Sequence, residues 1–302
     1  MKQALIYALA VVTVLFTAAW YQAASRRERK ESATPRWLDI NVGFLTNYLD
    51  TLGISSFATT TSFFKFKETA NDEDIPGTLN VGHAIPTFAQ AFIYMTFVDV
   101  DSTTLVSLIA ASVLGAWLGA GFVSSWSRRM VQIWMGGALV VAAGLLTMKQ
   151  LQVLPGGGNA LGLDGQQLVI AIVGNFILGA LMSLGIGLYA PCMIMVALLG
   201  MNPKAAFPIM MGSCAFLMPA GSLAFFKSER YDLRAALGLT IGGLPGVLLA
   251  AYLVKELPLE YMRMMVIGVV LYTALVMLGS ALRSQPAAVS DTPALERETA
   301  AV

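Results

Sequence analysis

The sequence predicts an all-α polytopic membrane protein: an extra N-terminal helix followed by two homologous, inverted repeats. Each repeat is expected to hold one broken or re-entrant helix and three spans. Hydrophobic residues make up 57% of the 302 residues and charged residues only 12%, and the mean hydropathy is +0.70. Long apolar blocks follow one another, and two of them share a pattern. So few charges cannot cover so much apolar surface in water, which excludes a soluble enzyme, a nucleic-acid-binding protein and a disordered scaffold.

The ionisable residues indicate neither a metal nor a cofactor. The net charge is +1, so no overall field attracts a polyanion such as nucleic acid. His83 is the single histidine, and Cys192 and Cys214 lie apart inside apolar stretches, whereas a structural zinc site needs about four nitrogen or sulfur ligands. A nucleophilic site of Cys192, His83 and Asp50 has no local motif in its favour. We therefore expect no metal, no cofactor and no enzyme.

The first apolar run, residues 4–20, is near the lower length limit of a spanning helix. Lys2 precedes the run and a basic stretch at 26–30 follows it, whereas a cleaved signal peptide carries its charge in front. We interpret 1–37 as a transmembrane anchor with an outside N-terminus and a basic cytoplasmic linker. Cleavage near residues 23–25 is the alternative.

Eight further apolar blocks follow, and two are too long for one straight span. Block 168–199 has 32 residues and would be about 48 Å long as a helix, against a hydrocarbon core of about 30 Å. Block 38–64 would be about 40 Å long. Both carry glycine near their centres, and the longer block adds Pro191, which predicts a break in each. The remaining blocks read as single spans: 79–98, 103–126, 130–148, 205–226, 235–254 and 261–282.

The two breaks match each other when the sequence is shifted by 132 residues. This shift aligns Leu52, Gly53, Ile54 and Ala58 with Leu184, Gly185, Ile186 and Ala190, and Phe44 with Phe176. The spacing predicts two homologous membrane repeats, 38–149 and 168–283, joined by a Gly-rich linker at 150–167. The polar tail at 284–302 is expected to be disordered.

Charge distribution favours re-entrant hairpins at both breaks. If each long block crosses the membrane once, the 19 Lys and Arg residues divide into 11 inside and 8 outside. If each block returns to its own side, they divide into 14 and 5. The positive-inside rule prefers the second arrangement. Each half then has an odd number of crossings, which inverts the second half.

The two breaks are the candidate substrate site. Irregular backbone at membrane depth is tolerated where it is buried in protein or lines a watery cavity. The N-terminus of a half-helix offers free N–H groups and partial positive charge, which suit an anion. Packing between helices is the alternative use of small and hydroxylated residues. The candidate substrate-binding residues are Gly53, Ser55, Ser56, Thr59, Thr60, Gly185, Gly187, Tyr189, Pro191 and Cys192.

Two ionisable residues at membrane depth are candidate proton-coupling groups. Asp50 lies three residues before the first break and His83 in the next block. Charge inside a membrane is costly, so such residues are candidate functional groups, and a neighbouring histidine could relay a proton. An Asp–His or Asp–Asn pair that fastens two helices is the alternative. Asn47, Asn80 and Gln90 are the supporting polar residues.

The sequence resembles the TauE/SafE family of sulfite exporters and related anion permeases over about residues 40–283. The resemblance rests on 179–191 (GALMSLGIGLYAP), on its first-half partner 43–54, and on Tyr231-Asp232-Leu233 leading into 242–246. It implies two repeats, a small sulfur-containing anion as substrate, and glycine-rich segments near that substrate. The family's glycine run after Gly-Ile is replaced by Ser55-Ser56 in the first half.

We therefore expect a secondary transporter of a small anion, such as sulfite or a sulfonate, that works by alternating access with protons as a candidate coupling ion. The expected location is the cell membrane, the inner one in a bacterium, with lipid as surroundings and a homo-oligomer left open. A membrane sensor or assembly protein that keeps the repeat fold is the competing hypothesis. A channel would conduct faster and without saturation.

Overall fold

The computed structural model describes residues 1–28, 34–67, 70–71, 74–123, 128–151, 158–182, 188–256 and 258–283. The described residues are mostly helical and include no β-strand. Candidate site residues Gly185 and Gly187 lie outside the described residues, as does the tail at 284–302. The helices are α1 (Lys2–Glu28), α2 (Trp37–Thr51), α3 (Ser56–Lys67), α4 (Ile75–Phe97), α5 (Ser102–Val123), α6 (Arg128–Gln150), α7 (Gly165–Met182), α8 (Tyr189–Leu198), α9 (Ala206–Ser228), α10 (Leu233–Glu256) and α11 (Leu259–Arg283), with a short 3-10 helix at Pro203–Ala205.

The chain is an all-helical membrane protein. Five stretches among the described residues are long and apolar enough to cross a bilayer: Lys2–Arg26, Gly165–Met182, Pro203–Ser228, Leu233–Val254 and Met264–Leu282. The blocks predicted to span in the first half form α4, α5 and α6. These helices have 22 or 23 residues, which makes each about 33–35 Å long, enough for the hydrocarbon core.

The first long block is two helices, as predicted. Helix α2 ends at Thr51 and α3 begins at Ser56. Between them Gly53 has φ of 100°, a left-handed backbone that glycine adopts without steric cost. In the second long block α7 ends at Met182 and α8 begins at Tyr189.

The most extensive contacts join helices from different halves of the chain: α2 with α10, α5 with α7, α6 with α11, and α4 with α9. Helices α2 and α10 run parallel, because Ile40 lies against Gly242 and Phe44 against Gly246. A Cβ atom on Gly242 would overlap the carbonyl oxygen of Ile40. The two backbones therefore touch through glycine, the usual device for close helix contact in a bilayer.

Two other helix pairs are antiparallel. In α4 and α9, Gly77 near the start of α4 lies against Phe225 near the end of α9. Tyr94 near the end of α4 stacks on Phe207 near the start of α9, with ring centroids 5.0 Å apart. In α6 and α11, Arg129 Nε donates to the carbonyl oxygen of Ala281 over 3.0 Å, so the start of α6 meets the end of α11.

Helix α1 packs on the outside of the α4–α9 pair. Phe16 contacts Phe88 of α4 and Phe226 of α9, with ring centroids 5.5 and 5.8 Å apart. Lys2 Nζ donates to the carbonyl oxygen of Val98, just beyond the end of α4. The anchor predicted from the sequence therefore runs antiparallel to α4, and much of its remaining surface is exposed.

The α2–α10 contact gives a stability prediction. Gly242→Ala places a methyl group where the Ile40 backbone lies, so we expect it to lower stability by about 1–3 kcal/mol, the usual cost of overpacking. Gly144→Ala in α6 is the matched control, because its added Cβ meets nothing within 4 Å. Thermal unfolding in detergent measures both. Equal melting temperatures for the two variants would contradict the assigned contact.

Candidate functional site

A cavity lies between the first break and the ends of α7 and α8. Its empty volume, including the part open to solvent, is about 390 Å³. Its walls come from the first break and α3, from α4, from the end of α7, from the start of α8, and from α9. The lining residues are Asp50, Ser55, Ser56, Phe57, Thr87, Met182, Leu188, Tyr189, Cys214 and Met218. The first break and the described helix ends on either side of the second therefore border one space.

Asp50 caps the N-terminus of α3. Its side chain is buried, and Oδ1 accepts a hydrogen bond of 2.6 Å from the backbone N–H of Ser56, the first residue of α3. Oδ2 accepts a bond of 3.0 Å from Gln90 Nε2. A carboxylate at this position satisfies a free amide and faces the positive end of the helix dipole. The sequence assigned these amides to a substrate anion, but one of them is already bonded to Asp50.

Gln90 connects the first break to the second long block. Besides Asp50, its Nε2 donates to Thr51 Oγ1 over 2.9 Å. Its Oε1 accepts a long bond of 3.5 Å from the hydroxyl of Tyr189, the first residue of α8. Asp50, Gln90 and Tyr189 thus form a chain of polar contacts along the cavity wall.

His83 belongs to a separate, fully buried network. Its Nε2 lies 3.0 Å from Thr60 Oγ1 and its Nδ1 lies 3.1 Å from Asn47 Oδ1. Asn47 Nδ2 donates to the carbonyl oxygen of Gly43 over 2.8 Å, so the amide oxygen faces the ring. This assigns the ring proton to Nδ1 and makes Thr60 the donor to Nε2. A neutral imidazole therefore has both ring nitrogens paired, and it fastens α2, α3 and α4 together.

The structure does not join Asp50 to His83 by a direct hydrogen bond. The bonds of Asp50 run to Ser56 and Gln90, and those of His83 run to Thr60 and Asn47. His83 is not among the described residues that line the cavity. A direct proton relay between the two side chains is thus absent from this conformation.

The candidate hydroxyl groups after the first break divide into two sets. Ser55 and Ser56 line the cavity, whereas Thr60 bonds to His83 one turn further along. Thr59 Oγ1 donates to the carbonyl oxygens of Ser55, just before α3, and of Ser56, its first residue. Of the four candidate hydroxyl residues, Ser55 and Ser56 are among the described residues of the cavity wall, and Thr59 and Thr60 are not.

The remaining candidates lie at different distances from the cavity. Tyr189 lines it, but Pro191 and Cys192 are buried and are not among the described lining residues. Gly53 lies against Met193 and Val269, so it brings the first break onto the second half. Asn80 Nδ2 donates to the carbonyl oxygen of Pro76 in its own helix.

Several lining residues were missed from the sequence, and one of them carried a readable signal. Thr87 lies on α4 between His83 and Gln90, at spacings of four and three residues, which place all three on one helical face. Cys214 was treated as an isolated apolar residue, yet it lines the cavity. Phe57, Met182, Leu188 and Met218 give the wall its apolar part, and ordinary hydrophobic residues carry no local signal of such a role.

The part of the chain that the structure describes contains no group of three or more His, Cys, Asp or Glu side chains that could hold a metal ion. Both cysteines are free and buried. Among the described lining residues, the polar groups are four hydroxyl groups, the Cys214 thiol and the Asp50 carboxyl group.

Comparison with known families gives one match. Residues 167–301 match the family described as Sulfite exporter TauE/SafE. The matched range begins at the third residue of α7 and includes α8 to α11. It confirms the sequence resemblance over the second half of the chain. The comparisons with curated proteins and with solved structures give no match.

The His83 network gives a prediction with a matched pair of variants. Thr60→Val removes the hydroxyl partner of a buried ring nitrogen, so we expect a stability loss of about 1–3 kcal/mol. Thr59→Val makes the same chemical change one residue earlier and removes bonds to the Ser55 and Ser56 carbonyl oxygens alone. Its expected effect on thermal unfolding is small. A loss of stability in Thr59→Val as large as in Thr60→Val would contradict the network.

Proposed function

We propose that the protein is a secondary transporter of a small anion, which binds in the cavity between the two breaks and crosses by alternating access. The observation that carries the proposal is the cavity itself, because the first break and the ends of α7 and α8 border the same space. Paired broken helices around a central site are typical of inverted-repeat transporters. The family match over 167–301 supports sulfite or a related anion as substrate.

The cavity wall suits weak binding of an anion. Its described residues offer hydroxyl groups from Ser55, Ser56, Thr87 and Tyr189, and they include no lysine or arginine. The sequence of 183–187, which joins α7 to α8, contains no basic residue either. Hydroxyl and amide dipoles hold an anion less tightly than a fixed cation does, which favours release after crossing.

Two equivalent contacts support the proposed pair of homologous repeats. The α2–α10 contact brings Phe44 against Gly246, and the α5–α7 contact brings Phe176 against Gly115. Phe44 and Phe176 are 132 residues apart, and the two glycines are 131 apart. Exchanging the halves therefore turns one interface into the other, which is expected of repeats related by a two-fold axis.

The helix caps repeat with the same spacing. Asp101 Oδ2 accepts a hydrogen bond of 2.8 Å from the N–H of Thr104 at the start of α5. Asp232 Oδ1 accepts a hydrogen bond of 2.9 Å from the N–H of Ala235 at the start of α10. The two aspartates are 131 residues apart. We assign 38–149 and 168–283 to the two repeats, with 150–167 as the linker.

Helix directions support inverted repeats with re-entrant breaks. If each long block crossed the membrane completely, corresponding helices of the two halves would point the same way. The corresponding pairs α4–α9 and α6–α11 are instead antiparallel. An odd number of crossings in each half produces this result, so we assign α2–α3 and α7–α8 to two hairpins that enter from opposite faces. The basic residues then place the α2–α3 hairpin on the cytoplasmic side of the cell membrane.

Asp50 and His83 are carried into the proposal as candidate proton-coupling groups. Asp50 lines the cavity and can meet both substrate and water. His83 reaches α3 through Thr60, so its contribution would act through the position of that helix.

The transport assay uses the purified full-length protein in liposomes, with labelled sulfite and labelled methanesulfonate. We expect saturable uptake of at least one anion. Ser56→Ala removes a hydroxyl from the cavity wall, and losing one hydrogen bond to substrate raises KM by about 2- to 10-fold. Thr59→Ala, the matched control on the same helix, leaves KM unchanged. Absence of uptake for both anions would refute the proposed function.

Cysteine labelling tests the hairpin topology. Thr34, Asn71 and Ala160 are exposed residues before α2, after α3 and before α7, and native Cys192 and Cys214 are buried. With a membrane-impermeant maleimide, we expect Thr34→Cys and Asn71→Cys to react from one face of the membrane and Ala160→Cys from the other. Reaction of the first two from opposite faces would mean that block 38–64 crosses the membrane.

A further inference from the structure

We propose that ionised Asp50 and the substrate anion exclude each other, so that the cavity accepts one monovalent anion together with one proton on Asp50 and rejects divalent anions. The inference rests on the proposed function and specifies the charge class of its substrate. It also assigns the coupling proton to Asp50 rather than to His83.

The first reason is that Asp50 holds the position an anion would take. The N-terminus of α3 faces the cavity. The Ser56 amide at that end donates a hydrogen bond of 2.6 Å to Asp50 Oδ1. Gln90 donates to the other oxygen over 3.0 Å. An ionised Asp50 is thus an internal anion with donors on both oxygens. A protonated Asp50 binds the amide more weakly and frees donors for an arriving anion.

The second reason is the charge balance of the surroundings. The titratable groups that share the cavity wall with Asp50 are Tyr189 of α8 and Cys214 of α9, and neither becomes positively charged. From α4, the group bonded to Asp50 is the neutral amide of Gln90. The described wall therefore supplies no cation, and two negative charges at this depth would repel each other strongly.

The third reason is the placement of His83, the remaining group on α4 that could carry a positive charge. Its ring nitrogens are engaged by Thr60 and Asn47, and it is outside the described cavity wall. It is a positioning residue for α3. The proton on Asp50 is then the available compensation for one negative charge. A second negative charge on the substrate would have no compensating positive charge.

The test uses full-length protein in liposomes and methanesulfonate, whose charge stays at −1 over the working pH range. A tenfold proton gradient should drive about tenfold accumulation, because one proton moves with each anion. A membrane potential imposed at equal pH should drive none, since the coupled movement is electroneutral. Sulfate, a divalent anion, should neither accumulate nor compete.

Asp50→Asn mimics the protonated side chain and cannot release a proton. We expect it to exchange labelled methanesulfonate across the membrane while proton-driven accumulation falls from about tenfold to none. Asp99→Asn, which removes an exposed acid beyond α4, is the matched control and should keep the full tenfold response.

The wild-type measurements keep the inference testable if Asp50→Asn fails to fold. Accumulation driven by membrane potential, or sulfate transport at a rate similar to methanesulfonate, would overturn it while leaving the transporter proposal standing. Proton-driven accumulation by Asp50→Asn would do the same. If wild-type protein carries neither methanesulfonate nor sulfite, the proposed function itself fails, and the inference fails with it.

Discussion

A helix that breaks inside a membrane leaves free carbonyl oxygens where one part ends and free amides where the next part begins, and both must find partners without help from bulk water. At the first break, the N–H groups of Gly53 and Ile54 turn back to the carbonyl oxygens of Asp50 and Leu49, over 2.8 and 3.0 Å. The next helix begins at Ser56, whose amide bonds the Asp50 carboxyl group. Asp50 thus accepts a backbone bond at the end of α2 through its carbonyl oxygen and caps α3 through its carboxyl group. The form of the cavity depends on this arrangement.

The polar face of α4 follows from the same constraint. His83, Thr87, Gln90 and Tyr94 lie along one side of that helix, and the Tyr94 hydroxyl donates to the carbonyl oxygen of Thr51 at the end of α2 over 3.3 Å. Gln90 and Tyr94 pair groups at the break, since Gln90 donates to the Asp50 carboxyl group and to the Thr51 hydroxyl. On the far side, Gly243 of α10 lies directly against Asn47 and Pro86. A larger residue there would displace the network, which explains a glycine in the middle of a membrane helix.

The sequence predicted what depends on local chemistry and length. Two blocks too long for one span, with glycine at matching positions, predicted one break near Gly53 and another within 184–191; α8 begins at Tyr189, inside that second range. The hydrogen-bond partners of each polar side chain could not be predicted from the sequence, because they depend on helix rotation and on contacts between distant segments. Ser56 and Thr60 share a face by spacing, yet they are a full turn apart, about 6 Å along the axis. Because of this distance, Ser56 lies in the cavity wall whereas Thr60 contacts His83.

The two intramembrane ionisable groups illustrate how surroundings divide similar chemistry into different roles. His83 has an amide oxygen on one ring nitrogen and a hydroxyl on the other, so its neutral form is complete and no described carboxylate contacts it. Both carboxyl oxygens of Asp50 are also hydrogen-bonded, but Asp50 lines a cavity that is partly open to solvent. Exchange of a proton requires a path to solvent, and a change of charge requires a partner to offset it. The cavity gives Asp50 such a path, and in the proposed transport cycle an arriving anion replaces the charge that its proton removes.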